Sequence, residues 1–179
     1  MSNLKRIAGT VISLTMLAST STSATTLKQL NIDDMVSEAT TCIVGNVVSS
    51  TQEKQNGQVY TLTTFNVSKI AFGSAERTIT VKTLGGRSNV GRLKTSTVFA
   101  GSPRFFIGQE RVMLLSHNAD ANNYSIVGFN QGNFRVNRTA LGGSTVSLPA
   151  ALGGNVNLDQ ALETISSRRG SPAKQQIGN

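Results

Sequence analysis

The sequence predicts a mainly β protein, a small antiparallel barrel or sandwich with a short helix before it and another after it. Three observations carry this reading. Apolar and polar residues alternate at period two in short runs between Cys42 and Asn137. Asn56-Gly57 separates two such runs and can supply the two positive-φ residues of a tight hairpin. Helical spacing is confined to residues 31–40 and 158–165. The 179 residues suit one domain with a core of its own.

Residues 1–24, MSNLKRIAGTVISLTMLASTSTSA, have the three-part layout of a secretory signal peptide. Lys5 and Arg6 are the positive part and Ile7 to Ala18 the apolar part; Thr22 and Ala24 occupy the −3 and −1 positions of a cleavage site. The apolar run falls short of the roughly 20 residues that span a bilayer, which favours a cleaved signal over an uncleaved anchor. The expected product is an exported bacterial protein, periplasmic or extracellular.

In residues 31–40, Ile32, Met35, Val36 and Ala39 share one helical face, Asn31 can cap the helix, and Asp33 and Asp34 suit its positive end. Cys42–Thr51 reads as a strand with Gly45 at a bulge or close approach. Val59–Ile70 is the strongest strand, and Arg77–Leu84 alternates Ile79 and Val81 against Thr80 and Lys82. Residues 85–104 read as a long glycine-marked loop with a short strand near Thr95–Phe99. Glu110–Ser116 is an apolar strand, His117–Asn123 a turn, and Tyr124–Phe129 with Gly132–Asn137 a final hairpin. Ser144–Leu148 adds a strand, and Leu158–Ile165 a helix capped by Asn157 or Asp159. The expected organisation is a barrel domain over 25–139, an extension over 140–166 and a disordered polar tail over 167–179.

Composition excludes several chemistries. One Cys rules out an internal disulfide framework and a cysteine zinc site, and one His a multi-histidine metal centre. Cys42, in an apolar run, reads as a buried small hydrophobe or as half of an intermolecular disulfide. No H-E-x-x-H, phosphate loop, dinucleotide fingerprint or G-x-S-x-G is present. His117 and Asp120 could join a serine in a hydrolase site, but they lie in a sequence that reads as a solvated turn. Asp120 with Asn118, Asn122 and Asn123 lacks the spacing of a calcium loop. No cofactor is expected.

The ordered segments CIVGNVVSS, VYTLTTFNVSKI, ITVKTLGG, GSPRFFIGQERVMLL and YSIVGFNQGNFRV resemble a family of uncharacterised secreted bacterial β proteins over Leu30 to Val136. More distantly, their order resembles the netrin-like module of tissue inhibitors of metalloproteinases, which implies an OB-like barrel and a binding or inhibitory role. That inhibitory mechanism uses an N-terminal cysteine and disulfides. Cys42 is internal and alone, so the mechanism does not carry over.

Charge is the uneven feature. Lys and Arg number 17 against 9 acids; without Lys5 and Arg6 the excess is +6. No acid lies between Glu76 and Glu110, a stretch holding Arg77, Lys82, Arg87, Arg92, Lys94 and Arg104. The expectation is an exported, non-enzymatic binding module. Arg87, Arg92, Lys94 and Arg104 would meet a polyanion such as a polysaccharide, lipopolysaccharide or extracellular nucleic acid, or an acidic secreted protein. The plainer reading of these charges is a modestly basic soluble surface. Phe99, Phe105 and Phe106 flank the basic loop as stacking platforms for bases or, more simply, as core. The alternative functions are a modulator of a secreted protease and, furthest from the sequence signals, a hydrolase around His117.

Overall fold

The computed structural model describes residues 29–90, 93–140 and 142–169, with the backbone alone for 88–90 and 93–95. The expected signal peptide lies outside the described residues. The elements are α1 (Ile32–Glu38), β1 (Thr41–Gln55), β2 (Gln58–Phe72), β3 (Thr78–Leu84), β4 (Gly86–Val90), β5 (Leu93–Thr97) and β6 (Glu110–Asn118). Then follow β7 (Asn123–Ile126), β8 (Asn133–Arg138), β9 (Ser144–Ser147), β10 (Asn155–Asn157) and α2 (Leu158–Arg168).

Five strands close into a ring. β1 pairs antiparallel with β2, and β2 with β3. β3 meets β7 in parallel at Val81↔Tyr124, β7 pairs antiparallel with β6, and β6 returns to β1 from Thr41↔Leu115 to Asn46↔Glu110. The ring runs β1-β2-β3-β7-β6-β1, a small five-stranded OB-like barrel, antiparallel except at one seam. β1 belongs to two pairings at once, and its register with β2 shifts at Cys42/Ile43, Val44/Gly45 and Val47/Ser49. Bulges of this kind bend a strand around a barrel corner. Gly45 sits at one of them, where a Cβ would stand 3.0 Å from Ile43 Cδ1 and 3.3 Å from Phe65 Cβ.

The Asn56-Gly57 hairpin forms as the sequence predicts, with φ of 50° and 80° joining Gln55 to Gln58. The second predicted hairpin does not form. β7 and β8 lie one after the other along the same edge of β6, β7 against Leu115–Asn118 and β8 against Arg111–Met113. Gly128–Gln131 loops out between them, and Gly132 rejoins β6 so tightly that a Cβ would lie 3.0 Å from Leu114 Cβ. Gly-Phe-Asn-Gln-Gly therefore marks a looped-out excursion, with Phe129 at φ 68°, and the chain does not reverse there. The predicted loop over 85–104 is also largely replaced. β4 and β5 form a separate antiparallel hairpin from Gly86↔Thr97 to Val90↔Leu93.

Two buried clusters hold the fold. Inside the ring lie Ile43, Val47, Phe65, Ile79, Val81, Met113, Leu115, Tyr124 and Ile126. Outside it, Cys42, Val44, Val112, Leu114, Phe134 and Val136 pack under α1 and α2. The run Val112-Met113-Leu114-Leu115 is apolar throughout because alternate side chains fill these two cores. Asn31 caps α1 by accepting from the Asp34 N–H at 2.8 Å. Asn157, and not Asp159, caps α2, accepting from the Asp159 N–H at 2.9 Å.

The stretch expected as a C-terminal extension, 140–166, packs on the barrel. Val146, Leu148, Leu152, Leu158, Ala161 and Ile165 belong to the outer core. Of the expected tail, Ser167 and Arg168 continue α2, and residues 170–179 lie outside the described residues. Arg168 pairs with Asp33 of α1 at 2.9 Å, and Arg169 donates to the Ala39 carbonyl at 2.7 Å. Both clusters are built from residues between Leu30 and Ile165, so a chain starting at residue 25 carries the whole described core.

Candidate binding cleft

β3 ends at the barrel rim in Leu84-Gly85-Gly86. Gly85 has φ 91° and Gly86 φ 146°, and a Cβ on Gly85 would lie 2.8 Å from the Thr97 carbonyl oxygen. A Cβ on Gly86 would lie 2.7 Å from Thr61 Oγ1. Only residues without a side chain let β4 fold back across β2 this closely. The Thr61 hydroxyl donates to the Gly85 carbonyl at 2.7 Å, and the Ser102 hydroxyl to that of Leu84 at 2.6 Å. The chain from β5 to β6 then makes two turns. Ser102 N–H donates to the Phe99 carbonyl and Gln109 N–H to the Phe106 carbonyl, both at 3.1 Å. Gly101 (φ 79°) and Gly108 (φ 83°) hold the third positions, which fits the type II pattern.

Between the β4–β5 hairpin and these turns lies a cleft of about 370 Å³. Arg87 and Arg104, both exposed, line it together with Phe99, Phe105 and Phe106. The rest of its wall is mainly hydroxyl, amide and backbone, including Ser50, Gln52, Thr61 and Ser96, and no described carboxylate lines it. Two guanidiniums in an acid-free cleft with hydroxyl donors are suited to oxyanions, because charge-assisted N–H···O bonds are the strong ones. Of the other sequence candidates, Arg92 lies outside the described residues, and Lys94 is placed on β5 by its backbone alone. Phe105 serves the core as well as the cleft. It packs against the barrel cluster and stands edge-on to Phe65.

The remaining cations of the acid-free stretch lie elsewhere. Lys82 is held by Glu53 at 2.7 Å and Gln55 at 2.8 Å, and sits 4.2 Å from the Tyr60 ring centre. Arg77 is exposed just before β3. The structure adds Arg111, which the sequence reading does not single out. Its parity on β6 matches the inward Met113 and Leu115, so alternation is the available signal. Its guanidinium donates to Gln109 Oε1 at 2.8 Å and lies 5.8 Å from the Phe105 ring centre, and its buried Nε has no hydrogen-bond partner among the described residues. Burial, and then the like charge of Arg135 across the strand pair, lower its pKa.

His117 is in β6, not in a turn, and its exposed ring lies against Tyr124 with centroids 4.6 Å apart. No hydrogen bond joins its ring to a serine or to Asp120 among the described residues. The Asn118 side chain accepts from the Ala121 N–H at 3.3 Å and so helps close the β6–β7 turn. No three His, Cys, Asp or Glu side chains among the described residues come together as a metal site. No helix among them is long and apolar enough to cross a membrane. Cys42 is fully buried in the outer core, and desolvation raises its pKa to about 12. The chain matches no family model, no curated protein and no solved structure.

Proposed function

We propose that the protein is an exported, non-enzymatic binding module that takes an anionic ligand in the cleft between the β4–β5 hairpin and the 98–109 segment. One observation carries this reading: Arg87 and Arg104, 17 positions apart in the sequence, converge on one cleft that no described carboxylate lines. Exposed cations without acidic partners attract anions at long range, and salt screens that attraction.

The test is retention of residues 25–179 on immobilised heparin against a salt gradient, beside the variant R87S/R104S. Both positions are exposed, so the variant keeps the core intact. Late elution of the parent and early elution of the variant are the expected result. Equal elution of the two would refute the cleft as the site. A further variant, R92S/K94S, reports whether these two cations add to the binding.

A further inference from the structure

The rim that carries the cationic cleft also carries exposed apolar side chains. Phe106 is 64% exposed, Ile107 75% and Val98 63%, and Val48 on β1 is 46% exposed. They are close together for definite reasons. Val98 and Phe106 line the same cleft. Val47, the neighbour of Val48, receives the Gly108 N–H on its carbonyl and donates its own N–H to the Gln109 carbonyl, both at 2.9 Å. The Phe106–Gln109 turn is thus fastened to β1 at Val47, the residue before Val48. The turn is held from the other side too. Gln109 Oε1 accepts from the Phe106 N–H at 3.2 Å and from the Arg111 guanidinium at 2.8 Å. Because both donors meet at one oxygen, the Arg111 guanidinium lies close to the base of the turn. Arg87 and Arg104 stand in the cleft that Phe106 lines.

A fixed turn that presents two large apolar side chains to water, with cations around it, matches the chemistry of an anionic lipid surface. Apolar tips enter the interfacial layer, while arginines meet the headgroup phosphates. A soluble polysaccharide or nucleic acid offers nothing comparable to an aliphatic side chain such as Ile107. We propose that the Phe106-Ile107 turn inserts into the surface of an anionic bilayer, with Arg87 and Arg104 as the headgroup contacts. This proposal rests on the anion-binding reading of the cleft and narrows it to one ligand class.

The test uses residues 25–179, since residues 1–24 contain an apolar run that would bind lipid by itself. Cosedimentation is measured with phosphatidylglycerol–phosphatidylcholine vesicles and with pure phosphatidylcholine vesicles, for the parent, F106S/I107S and R87S/R104S. The chain has no tryptophan, so F106W supplies a single reporter at the tip. The expected result is binding to the anionic vesicles alone, at least tenfold weaker in F106S/I107S and in R87S/R104S, with F106W emission moving to shorter wavelength on binding. I107S alone, at a residue that does not line the cleft, should keep the parent's retention on heparin while losing vesicle binding.

Parent retention on heparin without binding to anionic vesicles would overturn the lipid proposal and leave the anionic cleft standing. Equal vesicle binding by the parent and F106S/I107S, or an unshifted F106W emission, would also overturn it. So would a parent that sediments as a dimer in solution, is made monomeric by F106S/I107S and does not bind vesicles, since the tip would then be an interface between copies. Early elution from heparin together with vesicle binding lost in F106S/I107S would refute the polyanion reading and keep the lipid one.

Discussion

Phe105 stands edge-on to Phe65, with ring centroids 5.1 Å apart and planes at 87°. Phe65 is fully buried at the centre of the barrel core, and Phe105 is also a wall of the cleft. The contact therefore ties the cleft to the core. Phe105→Ala should lower unfolding free energy by about 2–3 kcal/mol, below the usual cost for a fully buried Phe because Phe105 is only partly buried. It should also weaken heparin retention, whereas Phe106→Ala should leave stability within about 0.5 kcal/mol of the parent. Urea denaturation of the two variants checks both.

Two glycines with nearly equal φ separate backbone cost from steric cost. Gly57 (φ 80°) has nothing within 4 Å of the place a Cβ would occupy, so Gly57→Ala should cost only the left-handed backbone penalty, about 1 kcal/mol. Gly73 (φ 77°) would bring its Cβ within 2.3 Å of the Thr40 carbonyl oxygen and 2.8 Å of Thr41 Cα. Gly73→Ala should cost roughly 3 kcal/mol or more, because backbone must move. Similar midpoints for the two variants would show that the β2–β3 connection can shift without loss.

Much of this fold is legible in the sequence, and the missed parts share a cause. Alternation marks β1, β2 and β3, an apolar run marks β6, Asn56-Gly57 marks the first hairpin, and Asn31 the first cap, since each signal is local. The placement of β8 is not legible from local pattern. Gly-Phe-Asn-Gln-Gly suits a reversal, and only the pairing of both flanking strands with β6 shows that the chain goes straight on. The hairpin at 86–97 is hidden because its residues are polar, glycine-rich and not alternating. In the cleft, Arg87 and Arg104 stand out by charge, whereas Arg111 is masked by the apolar strand that carries it.

Arg169 belongs by composition to a polar tail, yet it makes two contacts with the body of the fold. Its guanidinium lies 4.3 Å from the Phe72 ring centre and donates to the Ala39 carbonyl, the C-terminal cap position of α1. Arg169→Ala should destabilise by about 1–2 kcal/mol. Arg168→Ala, which removes a partly exposed ion pair with Asp33, should cost less than about 1 kcal/mol. Thermal unfolding at low and high salt distinguishes them, because salt should diminish the Arg168 effect more.

Cys42 gives the protein a predictable alkaline weakness. Its thiol is fully buried among Val44, Val112 and the α1 side chains, and desolvation raises its pKa from 9.0 to about 12. Below pH 9 the thiol is protonated in both folded and unfolded chains, so it contributes no pH dependence. Between pH 9 and 12 the unfolded chain gives up the proton and the folded chain keeps it. The unfolded state then binds fewer protons, so stability falls as pH rises, with a slope approaching about 1.4 kcal/mol per pH unit from this group. Subtracting the pH profile of Cys42→Ala from that of the parent removes the common contribution of tyrosines and lysines. The difference should be flat from pH 6 to 8 and decline above pH 9. The same burial predicts that a thiol reagent at pH 8 labels the chain only as fast as it opens, since the thiolate is the reactive form. Rapid labelling of the folded protein would mean that the helix layer over Cys42 opens without global unfolding.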